Sequence, residues 1–131
     1  MDSKLVVIKE FRIPLKDYEY GLPAGLIEPD QTIKQTAIME LKQETGLDVH
    51  NFITEPSPIV YNSAGWTDEG CSIVYVEAIG TLSKEYQEDS EDIDPFLMSK
   101  EEIKKLMDDA RAKKVKIGAK AWLVFENFIK G

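Results

Sequence analysis

Residues 25–47 read GLIEPDQTIKQTAIMELKQETGL, and the reading of the rest of the chain depends on them. Thr32 and Gln35 form a T-x-x-Q capping box, in which the threonine oxygen accepts from a backbone N–H three residues on and the glutamine reaches back to the cap. A helix is therefore expected from Ile33. Ile33, Ala37 and Leu41 recur at i, i+4 and i+8, which predicts one buried face. Gly46 supplies the left-handed residue that commonly ends a helix, so the helix should stop at Thr45. Glu40 and Glu44 stand four apart on it. Residues so spaced lie about 5–6 Å apart at Cβ, and two like charges there repel. A hard cation relieves that repulsion: Mg2+ or Mn2+ prefers such oxygen ligands, completed by water and substrate phosphate.

The other segments can be placed around this helix. Leu5 to Phe11 is rich in branched and aromatic residues and reads as a strand ended by Pro14. Asn51 to Tyr61 and Cys71 to Leu82 read as two more strands, and Pro95 to Met98 as a short one. Ser99 and Glu102 form a second capping box, opening a helix with the apolar stripe Ile103, Leu106, Met107 and Ala110. Lys113 to Lys116 read as a basic surface loop. From Ala119 a final helix carries Ala121, Val124, Phe125 and Phe128 on one face, broadened by Trp122 and Ile129. This order predicts an α+β domain with helices packed about a mixed sheet.

At 131 residues and 43% apolar composition, the chain is expected to form a single domain over 1–131 with a true core. The net charge is −8, and Arg12 and Arg111 are the arginines. With no basic stripe to displace counterions, nucleic acid is excluded as a partner. A small anionic diphosphate is not, because a divalent metal can bridge it to an acidic site. No run approaches the length of a membrane span, and MDSKLVVIKE lacks the features of a signal peptide, so no membrane association and a cytoplasmic location are expected. The lone Cys71 excludes an internal disulfide and a multi-cysteine zinc site, and its apolar run makes it a core filler. His50, without a second histidine, reads as a surface residue.

The opening stretch resembles the box of the Nudix hydrolases: G, five residues, E, seven residues, R-E-U-x-E-E-x-G-U, with U aliphatic. Gly25, Glu40, Leu41, Glu44, Gly46 and Leu47 fill its positions; Gln31, Met39 and Gln43 depart from it. The run Leu22-Pro23-Ala24-Gly25-Leu26-Ile27-Glu28 is similar to the L-P-A-G-L-I/V-(D/E) run of the ADP-ribose pyrophosphatase branch. The resemblance implies an α/β/α sandwich with a mixed β-sheet. It also implies divalent-metal-dependent hydrolysis of a nucleoside diphosphate linked to another moiety, with ADP-ribose giving AMP and ribose 5-phosphate as the preferred example. Glu40 and Glu44 would hold the metal with the Ala24 carbonyl.

Three further segments resemble the same branch. Lys9 to Pro14 is similar to Q-(Y/F)-R-x-P, which makes Arg12 a candidate phosphate clamp; the residues alone give a solvated strand-end arginine. Asn62 to Gly70 is similar to the S-P-G-x-x-x-E segment, with Ala64 replacing the proline. That makes Ser63, Gly65 and Glu69 candidate substrate-lining residues and Trp66 a candidate cover for a base, against a plain reading as a turn-rich loop. In the acidic loop Lys84 to Asp94, Glu91 is the best match to a glutamate that orients the attacking water, with Glu88 and Asp92 as competitors. Tyr18 and Tyr20 read as packing residues, with stacking on a base or ribose as the alternative.

The departures carry expectations too. In the family the arginine at position 39 pairs with the glutamate at 31; here both are neutral, so neither leaves a stranded charge. Gln43 is a weaker metal ligand than glutamate and predicts lower metal affinity or a missing metal site. These losses keep a second reading open, a Nudix-fold module that binds a nucleotide or a partner without cleavage. The chain begins almost at its first strand, without the N-terminal sheet through which many branch members form swapped dimers, so a homodimer is left open.

Overall fold

The computed structural model describes residues 3–62, 65 and 69–131. In chain order the elements are β1 (Leu5–Arg12), a 3-10 turn (Ile13–Leu15), β2 (Asp17–Gly21), α1 (Ile33–Thr45), β3 (Asp48–Phe52), β4 (Val60–Tyr61), β5 (Gly70–Cys71), β6 (Val76–Ile79), β7 (Ile93–Met98), α2 (Lys100–Arg111), β8 (Lys116–Ile117) and α3 (Ala119–Lys130). Strand β1 pairs antiparallel with both β2 and β7, and β2 pairs in parallel with β8, giving a mixed sheet of order β7-β1-β2-β8. Two further antiparallel pairs, β3–β6 and β4–β5, lie outside it.

Strand alternation sends successive side chains of β1 to opposite faces of the sheet. Val7 is fully buried against Ile103, Leu106 and Met107 of α2 and Ala121 and Phe125 of α3, with Tyr20, Trp122, Phe128 and Ile129 packed around them. Ile8, on the opposite face, is buried too, as is Ile93, whose register partner Glu10 shares that face. Helix α1 contacts β7 there and buries Leu41. The result is the expected α+β sandwich, with α2 and α3 on one face of the mixed sheet and α1 on the other. Among the described residues no helix is long and apolar enough to cross a membrane.

Both expected capping boxes form. Thr32 accepts from the Gln35 N–H at 3.1 Å while the Thr32 N–H donates to Gln35 Oε1 at 2.8 Å; Ser99 and Glu102 do the same for α2. Gly46 closes α1 at φ +82°, and its N–H donates to the Lys42 carbonyl at 2.9 Å. Thr32→Ala removes one partner of the first box and is expected to cost about 1 kcal/mol. Urea unfolding reads this directly, and an unmoved midpoint would show that the box contributes nothing.

The structure corrects four expectations. Asn51–Tyr61 is not one strand: Pro56 and Pro58, which have no N–H to donate, separate β3 from β4. Cys71–Leu82 likewise divides into β5 and β6, although the Ile53 and Ser57 N–H groups still donate to the Tyr75 and Ile73 carbonyls at 2.9 Å each. Cys71 is half-buried at the β4–β5 edge rather than in the core. The basic segment 113–116 ends in β8, where Lys116 pairs with Asp17 at 2.7 Å.

Candidate active site

Helix α1 presents Glu40 and Glu44 to the loop that follows β2. The burial that positions them differs from a simple apolar stripe. Its buried residues are Thr36, Leu41, Glu44 and Thr45, and the polar ones are hydrogen-bonded, the threonines locally. The Thr45 hydroxyl donates to the Leu41 carbonyl at 2.6 Å and accepts from the Leu47 N–H at 3.2 Å; the Thr36 hydroxyl donates to Gln31 Oε1 at 3.0 Å. Glu44 is only 3% exposed, and its Oε1 accepts from the Ala24 N–H at 3.1 Å. Glu40 lies against Gly25. A Cβ on that glycine would sit 2.0 Å from the Glu40 carboxyl carbon and 2.3 and 2.4 Å from its oxygens. The missing side chain is what gives the carboxylate its place.

Burial pushes the Glu44 carboxyl up to about 8 against the opposing Ala24 hydrogen bond, and the Glu40, Glu10 and Glu91 charges push it the same way. Glu40 is raised as well, first by desolvation and then by Glu91, while a hydrogen bond from Glu44 opposes the rise. The charged groups acting on the pair, Glu10, Glu28, Glu88 and Glu91, are all carboxylates. Without a cation, these influences favour a proton on Glu44 below about pH 8.

Among the described residues, no group of three or more His, Cys, Asp or Glu side chains is set to hold a metal ion. What the site offers is a two-carboxylate set of hard oxygen donors in a uniformly negative surrounding, with a cradle kept open by Gly25. That donor chemistry fits Mg2+ or Mn2+ completed by water or phosphate.

The neutral residues of the 25–47 stretch keep one another's company. Gln31 Nε2 lies 3.7 Å from Met39 Sδ, a weak N–H···S contact at the two positions where the family has its ion pair. Gln43, one turn further along the same face of α1, makes a different contact, its Nε2 donating to Glu91 Oε1 at 2.8 Å. Glu91 is thereby held beside α1. Glu88 donates its N–H to the same Glu91 oxygen at 3.0 Å, and Asp92 pairs with Lys84 at 2.8 Å.

Arg12 lies on the Glu10 face of β1, where its guanidinium meets Glu10 at 3.1 Å and Glu19 at 3.2 Å. Because Glu10 also acts on Glu44, the arginine stands at the border of the acidic site and stays about half exposed. Glu69 accepts from the Asn62 amide at 3.3 Å at the base of the β4–β5 connection, and a Cβ on Gly65 would meet nothing within 4 Å. Ser63 and Trp66 lie outside the described residues. Tyr20 packs on the α2–α3 core, whereas Tyr18 is exposed, edge-on to Phe11, with the Lys9 amine 4.8 Å from its ring. His50 is exposed on β3.

A family model, NUDIX domain, matches residues 1–118 of this sequence. The chain belongs to the Nudix family. The Nudix box accounts for Gly25, Glu40 and Glu44 as one unit. An ADP-ribose pyrophosphatase of Saccharomyces cerevisiae is 33% identical over 99 residues, covering 72% of this chain and 42% of that protein. An ADP-ribose pyrophosphatase of Bacillus subtilis is 29% identical over 91 residues, covering 70% and 48%. The chain thus matches less than half the length of these two relatives. A crystal structure of an ADP compounds hydrolase superposes with a TM-score of 0.66 at 21% identity, over 83% of this chain and 57% of that one, and shows the same fold.

Sequence reasoning did not find Gln87 or Glu10. Gln87 donates to the Glu44 carbonyl at 3.0 Å and to the Ile93 carbonyl at 2.7 Å, tying the acidic loop to the Nudix helix. No motif marks it; an amide in a charged loop reads as solvated. Glu10 could have been found from β1 alternation, since it shares a face with Arg12.

Proposed function

We propose that this Nudix chain is a divalent-metal-dependent hydrolase of a nucleoside diphosphate linked to another moiety, with ADP-ribose as the preferred substrate. The observation that carries this reading is the pairing of buried Glu44 with Glu40 over the Gly25 cradle. Glu40 and Glu44, with the Ala24 carbonyl, would hold Mg2+ or Mn2+. When bound, the metal supplies charge neutralisation for the diphosphate and a more acidic water. Arg12 keeps donors available for phosphate oxygens, since a guanidinium has more N–H groups than its two glutamate contacts use. Glu91 accepts a hydrogen bond from the incoming water and orients it. Ser63, Gly65, Trp66 and Glu69 are assigned to the substrate lining. The balance is simple: water adds across one P–O bond of the diphosphate, releasing AMP and ribose 5-phosphate. The names of the two relatives above favour this substrate class, and the compartment is read as cytoplasmic.

A second reading, nucleotide binding without cleavage, is favoured by one observation: the box position that supplies a third carboxylate elsewhere in the family is here Gln43, turned toward Glu91. One assay separates the two. AMP release is measured from ADP-ribose, with FAD, diadenosine polyphosphates and nucleotide sugars as comparators, under Mg2+ and under Mn2+. Metal-dependent release from ADP-ribose above the comparators is the expected result. Binding of these compounds with no release from any of them would leave the second reading standing.

A further inference from the structure

Gln43 would ordinarily be taken as a degraded metal ligand. Its contacts say otherwise. Its amide reaches across 48 residues of sequence to Glu91, and the loop between Ser83 and Ile93 is fastened to α1 at two more points. The Ser83 N–H donates to the Thr45 carbonyl at 2.8 Å, where Gly46 leaves no Cβ in the way. Gln87 bridges the Glu44 and Ile93 carbonyls and accepts from the Ile93 N–H at 3.2 Å. These two attachments are made by backbone or by an uncharged amide, and neither fixes the Glu91 side chain. Gln43 does. Together with the Glu88 N–H it occupies Oε1, and among the described residues no hydrogen bond falls on Oε2. Glu91 is half-buried and acts electrostatically on both Glu40 and Glu44, so the free oxygen belongs to a carboxylate held at the edge of the pair.

From this we infer that Gln43 is a positioning residue whose amide clamps Glu91, and with it the 83–93 loop, onto the Nudix helix. The inference rests on the proposed hydrolase for its catalytic consequence, but the clamp itself is a property of the protein alone. A glutamate at 43 would put a second carboxylate 2.8 Å from Glu91 in place of a donor. At that distance the two acids repel, and the loop loses the contact that aims Glu91. Thus the change that looks like a repair of the Nudix box should damage this particular site.

The test compares Gln43→Glu, Gln43→Ala and the exchanged pair Gln43→Glu/Glu91→Gln by amide hydrogen exchange in the metal-free full chain. Losing a hydrogen bond to a charged group should speed exchange of the Glu88 N–H by at least about 10-fold in both single variants. The Ile103 N–H in α2 should not change. In the exchanged pair the amide sits at 91 and the carboxylate at 43, so the amide nitrogen at 91 donates to the carboxylate at 43 while the amide oxygen at 91 accepts from the Glu88 N–H, and protection returns. Unchanged Glu88 exchange in both single variants overturns the inference, as does a loss that the exchanged pair fails to restore. In turnover, kcat for Gln43→Glu should fall about 10- to 100-fold with KM within about twofold. A rise in kcat would mean that position 43 is a lost metal ligand and the clamp reading is wrong. If the parent turns over none of the substrates, the hydrolase reading fails and the exchange data still decide the clamp.

Discussion

Glu44→Gln is expected to do two opposite things to the same protein: remove metal-dependent turnover and make the metal-free fold more tolerant of alkaline pH. The first follows from its assignment as a metal ligand. Loss of a mere outer-sphere partner costs a metal site about 10- to 100-fold, so loss of a direct ligand should cost at least about 100-fold. The second follows from the raised Glu44 carboxyl, at about 8. An unfolded glutamate ionises near pH 4.3. Between those two values the folded chain therefore binds more protons than the unfolded chain, and stability falls as pH rises, by up to about 1.4 kcal/mol per unit. The contribution is fully present below the unfolded value and has been lost once the pH passes about 8. Glutamine keeps the acceptor for the Ala24 N–H and a donor toward Glu40, without the ionisation. Urea unfolding in chelator at pH 5.5 and 8 should show the variant gaining about 3 kcal/mol on the parent across that interval. Parallel losses in the two proteins would mean that Glu44 does not titrate as its burial demands.

Gly25→Ala is the second large effect, and it separates the site from the fold. A Cβ there would lie 2.0 Å from the Glu40 carboxyl carbon, so something must move. The obstacle is the far end of a flexible side chain, and Gly25 does not have a positive φ. Glu40 therefore swings away at little cost, and the alanine narrows the unfolded ensemble, so stability should stay within about 1 kcal/mol. Mn2+ affinity, read by titration calorimetry, should fall at least about 10-fold. Gly46→Ala makes the opposite control. It meets a φ of +82° and Ser83 backbone at 2.7 Å, so it should lower the unfolding midpoint more than Gly25→Ala does. Unaltered Mn2+ binding in Gly25→Ala would remove the metal role assigned to Glu40.

The limits of the Nudix helix were legible because both of its ends are chemically marked. Thr32 and Gln35 can satisfy orphan N–H groups only at a start, and Gly46 adopts a conformation that other residues avoid. Its buried face was less legible, because Thr36 and Thr45 are covered through local hydrogen bonds, and Glu44 through one from the Ala24 loop, and not through hydrophobicity. The 51–61 misreading has a similar cause. Branched residues mark a strand, while Pro56 and Pro58 decide whether the ladder can run unbroken. Glu40 and Glu44 were visible by spacing alone. Glu91 entered through family resemblance, and its bond to Gln43 lies beyond any local pattern, since only the closed fold brings residues 43 and 91 together.

The alternation of β1 has an evolutionary side. Val7 belongs to the hydrophobic layer under α2 and α3, while Ile8, Glu10 and Arg12 belong to the layer that bears the carboxylates. A pairing slip of one residue in this strand would exchange the two memberships, driving Glu10 and Arg12 into an apolar interior and turning Val7 toward the acids. Such a slip would abolish fold and chemistry in one step, so selection on the core also guards the register of the charges. Within that register the two layers can drift separately: α2 and α3 can be repacked for hardiness while the opposite face is retuned toward a new substrate.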